Sequence, residues 1–228
     1  MDDVVLITAP ATEPITLTQM KSHAKVYTTA DDTYISTVII PAARQAIEDE
    51  LHKVLITQTW LLKRDGFPGF DPKYDSSGYP TILIPKPPFQ SVISFTYVDV
   101  AGVTQTLVQC NPDGTTTDDN YYGYQLDPGS ETQPARLLPP WARPWPPSRR
   151  LPMSVQLQFN CGFGPISDGA SPPNISWISG GIPPAIIMAI LLEGAHLYYN
   201  REAIVAGSAT ELARGVSALL SPYVNRIA

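Results

Sequence analysis

The residues that could carry out catalysis are few and lie far apart in the chain. The three histidines, His23, His52 and His196, lie far from one another in the sequence and have no cysteine or second histidine at metal-ligand spacing beside them. The sequence lacks the GxSxG pattern of serine hydrolases, the GxxxxGKS/T pattern of nucleotide-binding loops and the HExxH pattern of zinc proteases. We expect the histidines to lie on helix surfaces or in helix packing, with a cluster assembled by folding as the alternative. We therefore expect no metal, no cofactor and no enzymatic activity.

Two other groups of residues have suitable side chains but unsuitable spacing. Acidic residues adjoin at 31–32, 48–50 and 118–119, whereas acid–base catalysis needs two carboxylates held across a cleft in contrasting environments. We interpret these residues as a helix cap, a solvated helix face and a polar loop.

Gly162-Phe163-Gly164 begins like a dinucleotide-binding loop, but Ser167 stands where the third glycine belongs. This stretch is predicted to be a turn that ends a strand.

The strongest binding signal is a basic, aromatic and proline-rich stretch, residues 137–150. It combines Arg143, Arg149 and Arg150 with two tryptophans, Trp141 and Trp145. Arginine beside tryptophan can stack on nucleic-acid bases or form the energetic centre of a protein interface. A stiff, extended segment with aromatic anchors suits docking on a protein. Three interpretations remain open: contact with a protein partner, packing on its own domain, and contact with nucleic acid.

The composition bounds the class of protein. In 228 residues, 43% are hydrophobic and 16% are charged, so the chain can bury a sizeable core in one or two domains and is not disordered. The net charge of -6 argues against a protein that grips nucleic acid by neutralising phosphates. The longest apolar run, Ala185–Leu192, is far shorter than the roughly 20 residues that span a bilayer. We expect Cys110 and Cys161 to be buried and reduced.

Helices are predicted at both ends of the chain. An N-terminal arm precedes a short helix that Thr16 and Gln19 can cap reciprocally. A second helix begins after the acidic pair 31–32, and Pro41 within it predicts a kink, because proline lacks a backbone donor. Helical spacing of apolar residues returns at 183–200 and again at 209–225, where Pro222 interrupts the pattern.

The middle of the chain is predicted to be β structure. Twenty of the 24 prolines fall between Pro68 and Pro184, so this region cannot be mainly helical. Strands are expected at 57–63, 81–84, 91–100, 103–107, 121–126 and 154–159, with a hairpin turn at 99–102 and loops at 137–150 and 162–181. The predicted fold class is α+β. It comprises a small helical bundle from residues 1–54 and 182–228, with an antiparallel β-sandwich or barrel-like domain, residues 55–181, inserted between them.

Seven short stretches, in order, carry a resemblance to a known family. They are Ile15–Leu17, Ala42–Glu48, Leu55–Trp60, Pro85–Val92 with Tyr97–Asp99, Val155–Gly164, Ala195–Ala203 and Gly215–Tyr223. In these stretches the chain resembles the head-tail connector (adaptor) proteins of long-tailed bacteriophages, in particular the larger members with a β insertion. It departs from them at Pro41 and in the long loops at 74–79 and 162–181.

The resemblance implies a structural protein of the virion neck. Such a protein assembles in the host cytoplasm as a ring, commonly of twelve copies, beneath the portal protein. The ring extends the DNA channel, lets DNA pass without sequence-specific binding, and docks the stopper or tail-completion protein; no membrane is involved. The tail after Pro222 would reach toward the portal. The interface residues expected on this basis are Trp141, Arg143, Trp145, Arg149, Arg150 and Tyr223. The alternative is a stand-alone β-sandwich module that binds a carbohydrate or a protein.

Overall fold

The protein, seen in a computed structural model, has five α-helices and nine strands in its described part. That part comprises residues 2–69, 80–110, 123–130, 133–140, 143–149, 151–164, 181–201 and 209–225, with the backbone alone at 209–214. The helices are α1 (Leu17–His23), α2 (Asp32–Tyr34), α3 (Ile40–Leu51), α4 (Pro184–Tyr199) and α5 (Ala209–Leu220). None of these helices combines the length and the apolar character that crossing a membrane requires.

The N-terminal helices follow from their capping and proline signals. Thr16 caps α1 through the amide of Gln19, and the Gln19 side chain accepts from the Thr16 amide, so the predicted capping box is confirmed. Between α2 and α3 the chain makes a π-helical turn, Ile35–Ile39. Pro41, which has no amide hydrogen to donate, follows this turn at the start of α3. The irregularity predicted from Pro41 therefore takes the form of a widened helical turn.

The strands form two sheets. Their bounds are β1 (Asp2–Thr8), β2 (Gln58–Arg64), β3 (Ile82–Leu83), β4 (Phe89–Val98), β5 (Thr104–Thr106), β6 (Val108–Gln109), β7 (Gly123–Asp127), β8 (Arg136–Leu138) and β9 (Val155–Cys161). The five-stranded sheet has the order β1-β2-β9-β4-β5, and the four-stranded sheet has the order β3-β8-β7-β6. The predicted hairpin is confirmed, since β4 and β5 pair antiparallel around a turn that Gly102 makes at φ +89°.

Three details differ from the sequence-based expectations. Residues 2–8, expected to be an arm, form β1 and pair with β2, so this stretch belongs to the five-stranded sheet. The expected loop at 137–150 begins inside β8, whose Leu137 is fully buried. The sheets are not wholly antiparallel, because β6 and β7 run parallel. Hydrophobic alternation cannot reveal β6 and β8, since two- and three-residue strands are too short to show a period.

Two hydrophobic clusters fill the interior. One takes residues from both sheets, including Phe95, Tyr124 and Leu157. The other joins α3, α4 and α5 with Leu55 and Phe163. Cys110 and Cys161 are both buried and free, as expected, and Cys161 lies in the β cluster. The fold is therefore α+β, as predicted, whereas the exact domain boundaries at residues 54 and 182 stay a prediction.

The three long central strands run from the helices to the opposite end of the sheet. At the helical end, the amides of Val54 and Gly162 donate to the carbonyls of Pro87 and Pro88, at 2.9 and 2.8 Å. At the other end, Val155 pairs with both Arg64 of β2 and Tyr97 of β4. The turn between β4 and β5 and the segment that leads into β9 therefore lie at the end away from the helices.

Candidate partner-docking surface

The proline-rich segment 143–149 lies along the edge of the β4–β5 hairpin. Ser148 forms a β-bridge with Asp99, and the amide of Arg149 donates to the carbonyl of Val98 at 2.9 Å. Proline supplies no amide hydrogens, so these few backbone contacts hold a segment that cannot form a regular strand. The segment is thus a strap fixed to the domain from which it comes.

Trp145 is the internal anchor of this strap. Its side chain is only 7% exposed, and its Nε1 donates to the carbonyl of Pro80 at 2.7 Å. The indole stacks on Phe67 with 5.0 Å between ring centroids and meets the edge of Phe95 at 6.0 Å. Of the three interpretations of this residue, packing on its own domain describes the contacts that the side chain makes. Its predicted role in binding a partner stays a prediction.

The other predicted interface residues of this stretch differ in exposure. Arg149 is exposed, and its guanidinium lies against Gly102, where an added Cβ would come within 2.7 Å of Nη1. Arg143 is half-buried, with its amide donating to the carbonyl of Pro140. Trp141 and Arg150 lie outside the described residues. Arg149 is therefore the member of this set that presents its side chain to solvent.

Tyr223 lies in a tail that folds back on the helices. The tyrosine is half-buried against the helical cluster, and the amide of buried Asn225 donates to the carbonyl of Leu51 at 3.0 Å. The tail is therefore folded onto the helices as far as Asn225, and the expectation that it reaches toward the portal stays a prediction. This hydrogen bond satisfies both the Asn225 amide and the Leu51 carbonyl at the end of α3, which an extended tail would leave to bond with water.

An ionic cluster that the sequence did not reveal joins the end of α4 to the start of α2. Tyr198 donates to Asp31 Oδ2 at 2.6 Å, and Arg201 Nη2 lies 3.1 Å from the same oxygen. The Arg201 guanidinium also lies over the rings of Tyr34 and Tyr198. The hydrogen bond from Tyr198, helped by Arg201, lowers the pKa of Asp31, and the carboxylate in turn raises the pKa of Tyr198. Asp31 makes no side-chain capping bond, contrary to its interpretation as a helix cap.

A second polar network lies where the helices meet the sheet. Glu48 accepts from the Leu55 amide at 2.8 Å and pairs with Arg44, which also pairs with Glu13 at 2.8 Å. Burial raises the pKa of Glu48, although the Leu55 amide and the Arg44 guanidinium oppose this. Glu48, whose side chain is 11% exposed, therefore links α3 to the first residues leading to β2, and it does not lie on the solvated face predicted for it.

The α4 helix carries apolar residues on all sides. Its inner face is buried at Ile186, Ala189 and Ile190. An outer stripe at spacings of four, three and four residues remains partly or largely exposed: Met188 at 44%, Leu192, Ala195 and Tyr199 at 63%. A helix that is apolar all round is normally covered on all sides. The outer stripe is thus a second candidate docking surface.

The described residues offer little that could act as a catalytic centre. They contain no group of three or more His, Cys, Asp or Glu side chains that could hold a metal ion. A cavity of about 700 Å³ lies between the end of β1 and the start of α4, and Glu13 is the one titratable residue among those that line it. Glu13 is paired with Arg44, and the described residues of the lining include no histidine, cysteine or lysine that could act as a base beside it.

Comparison with known proteins gives a fold but no family. No protein-family model matches the chain, and no curated protein does. A chain in the neck of an empty GTA particle, computed with C6 symmetry, is similar with a TM-score of 0.66 and 21% identity, over 99% of this chain and 97% of that chain. A chain in the virion of the native gene transfer agent (GTA) particle gives 0.64 and 21%, over 99% and 96%. A chain in the neck of the native particle, computed with C12 symmetry, gives 0.62 and 21%, over 99% and 97%. The chain therefore has the fold of a protein found in the necks of gene transfer agent particles.

Proposed function

We propose that this protein is a structural subunit of a virion neck, a head-to-tail adaptor. Twelve copies would form a ring beneath the portal protein, extend the DNA channel and dock the stopper or tail-completion protein. The subunit would be made and assembled in the host cytoplasm. Its role is mechanical and interfacial, and it needs no cofactor or enzymatic step.

The fold likeness is the observation that carries this proposal. It extends over 99% of the chain and nearly all of each matched chain, so it includes the helices, both sheets and their connections. Two of the three matched structures are necks computed with sixfold or twelvefold symmetry. A protein with this fold and an uncovered apolar helix face is suited to a cyclic assembly.

The outer stripe of α4 supports a ring on physical grounds. Met188 and Tyr199 stand exposed on a helix whose other faces are already packed. In a closed ring each subunit contacts two neighbours through two different surfaces, so one apolar face of each copy is covered by the next. We therefore assign the α4 stripe to the contact between neighbouring subunits.

The charge of the subunit supports passage of DNA without tight binding. A net charge of -6 per chain gives twelve copies a strongly acidic ring. Basic residues lining the channel would hold DNA by releasing its counterions, whereas acidic ones let phosphates slide past. The interface set Trp141, Arg143, Trp145, Arg149, Arg150 and Tyr223 belongs to this proposal, with Arg149 as its best placed member.

The alternative of a carbohydrate-binding module has no specific support among the described residues. Glycan recognition by stacking needs an exposed aromatic platform. The strongly exposed aromatic residues in the described ranges, Tyr27 and Tyr199, both lie in the helical part and not on the sheets.

Electron microscopy of the protein mixed with the portal protein from the same genome tests the proposal. We expect portals extended by an added ring, with the copy number read from class averages computed without imposed symmetry. Free portals beside dispersed monomers would contradict the proposal. Retention of the monomer on a polysaccharide column would then favour the alternative.

A further inference from the structure

The end of the five-stranded sheet away from the helices carries an apolar surface. The register of β2 and β9 runs from Gln58 opposite Cys161, beside the helices, to Arg64 opposite Val155. Seven residues in a strand rise roughly 20 Å. The turns beyond Arg64 and Val155 are therefore the part of this sheet farthest from the helical cluster.

Two neighbouring turns at this end expose four large apolar side chains. Their exposed fractions are 68% for Val100, 55% for Val103, 43% for Leu151 and 44% for Met153. Turns at the tip of a sheet are normally polar, because their side chains face water without gaining burial. We call these four residues, together with Arg149, the distal patch.

Backbone hydrogen bonds hold the two turns side by side. Val98, which precedes the first turn, donates its amide to Ser154 and accepts from the Arg149 amide, both at 2.9 Å. The Leu151 amide donates to the Arg149 carbonyl at 2.8 Å. Two bonds therefore join the hairpin to the second turn, a third lies within that turn, and the four apolar side chains stand on adjoining turns.

Met153 adopts a backbone conformation that methionine rarely takes. Its φ is +58°, in the left-handed region that favours glycine. Asp65 holds the turn in place: Oδ1 accepts from the Met153 amide at 3.0 Å, and its carbonyl accepts from Ser154 Oγ at 2.9 Å. Such strain concentrates at functional sites, and a flexible thioether adapts well to a partner surface. A glycine here would relieve the strain, so the methionine side chain points to a role outside the fold.

The charges around the patch indicate an acidic partner. The Asp99 carboxylate is engaged within its own turn by the Val103 amide and the Gln105 side chain. Asp65 is likewise engaged by Met153. Arg149 is exposed, and in the described part of the chain no carboxylate forms an ion pair with it. A carboxylate of the partner can therefore complete this site.

We propose that the distal patch inserts into an apolar pocket, rimmed by carboxylates, on the next protein of the neck on the tail side. This proposal rests on the proposed function, which assigns the α4 stripe to the contact between neighbouring subunits and leaves the distal end of the sheet available to another protein. Val100, Val103, Leu151 and Met153 supply the apolar contact. Arg149 supplies orientation and a salt-dependent contribution.

Binding of the purified stopper protein from the same genome to ring–portal complexes tests the patch. Rings are assembled from wild type, Met153→Gly, the double variant Val100→Ser/Val103→Ser, Arg149→Ala and a control, Ile93→Ser. Ile93 is 49% exposed on β4, outside the patch. We expect Met153→Gly and the double valine variant each to weaken stopper binding by about tenfold or more. The affinity of Ile93→Ser should stay within about twofold of wild type. Met153→Gly should not lower the thermal midpoint, because it relieves the left-handed strain. Arg149→Ala should reduce the salt dependence of binding.

The outcomes separate the two proposals. If rings of wild type, of Met153→Gly and of the double valine variant all form and bind the stopper protein equally well, the patch proposal is overturned. An equal loss with Ile93→Ser overturns it as well, as does a wild-type ring that does not bind the stopper. If no ring forms on the portal, the adaptor proposal fails. The patch proposal is then tested by comparing the direct binding of the free wild-type chain and the same variants to the stopper protein.

Discussion

Trp145 connects the proline-rich strap to the hydrophobic cluster that both sheets share. Its indole nitrogen bonds to the Pro80 carbonyl, while its ring stacks on Phe67. Both partners come from distant parts of the chain, so this side chain closes the space between the strap and the core. A buried residue with a satisfied donor contributes to stability through both packing and hydrogen bonding.

Replacing Trp145 therefore distinguishes a stabilising role from one confined to partner binding. We expect Trp145→Ala to lower the free energy of unfolding by about 3–5 kcal/mol. Trp145→Phe keeps most of the packing and loses the hydrogen bond, so its cost should be about 1 kcal/mol. Urea denaturation followed by circular dichroism measures both. An unchanged unfolding midpoint in Trp145→Ala would show that the indole acts only toward a partner.

Asp31 makes the stability of the helical part depend on pH. Its pKa is lowered from 3.8 by the Tyr198 hydroxyl and Arg201, so the folded state favours the ionised carboxylate. The stabilisation is present above the ordinary pKa and is lost as the pH falls through the lower, folded-state pKa. We expect Asp31→Asn to lower the thermal midpoint near neutral pH, with the difference from wild type shrinking below pH 3.8.

Thermal melts across this pH range, with Tyr198→Phe as the matched variant, check the effect of Asp31. Tyr198→Phe should reduce the same pH dependence, because it removes the main donor to the carboxylate. Combining the two substitutions should add less than their separate effects, since they remove one shared interaction. Fully additive effects would show that the two side chains act independently.

At the scale of single residues, the sequence predicts what local chemistry decides. The Thr16 and Gln19 capping box and the turn at Gly162 were both predictable, because each depends on neighbours within a few positions. The bond between Asp31 and Tyr198 joins residues 167 positions apart. No local pattern distinguishes a carboxylate that caps a helix from one that accepts a distant hydroxyl.

At the scale of elements, the bend after β9 couples the sheet to the helices. Gly162 has a φ of +118°, and an added Cβ would lie 2.6 Å from the Ile56 carbonyl carbon. Its carbonyl accepts from buried Gln90, and Phe163, which follows, pairs with Ile56. The bend therefore brings the sheet into contact with the helical cluster through a position that only glycine fills without strain.

Gly162→Ala should loosen this junction. We expect a loss of at least about 2 kcal/mol in the free energy of unfolding, from the left-handed backbone and the close contact together. Gly66→Ala is the matched control, because its Cβ would lie 3.7 Å from Ser148 Oγ, an ordinary contact. The control should change stability by less than about 0.5 kcal/mol. Similar midpoints in urea for the two variants would contradict this account.

The elements that could be predicted are those with a long, clear period. The α4 helix begins and ends within one or two residues of its predicted bounds, and β2, β4 and β9 begin and end within two residues of the predicted strands. Strand β1 was missed, because its apolar run Val4–Ile7 has no alternation and pairs only with a strand 50 or more positions away. Short strands β6 and β8 depend on the sheet that receives them.

At the scale of the whole molecule, the outer stripe of α4 is an apolar surface that a single chain leaves uncovered. Met188 at the start of the stripe and Tyr199 at its end are exposed, while Leu192 and Ala195 between them are partly buried against the helical cluster. Exposed apolar stripes of this length lower solubility unless another surface covers them. This exposure agrees with the assignment of the stripe to the contact between neighbouring subunits.

A charge in this stripe should prevent assembly without unfolding the subunit. We expect Met188→Glu to keep the circular dichroism spectrum and thermal midpoint of wild type. Ring formation on portals should fall by about tenfold or more, because closing the interface would bury an unpaired carboxylate. Ile93→Glu, on the sheet and similarly exposed at 49%, is the control and should assemble normally. Complete rings of the Met188→Glu variant in electron micrographs would exclude α4 from the subunit contact.

The location of the distal patch at the far end of three strands also affects the order of assembly. Four side chains and one arginine make a contact smaller than stable protein pairs use, so a free subunit would hold its tail-side partner weakly. Twelve patches presented in a fixed circle act together, and their combined avidity exceeds any single contact by orders of magnitude. A partner that engages many patches at once would distinguish a finished ring from a free subunit. Completion of the adaptor ring would then permit addition of the tail-side protein, with no conformational signal between the two.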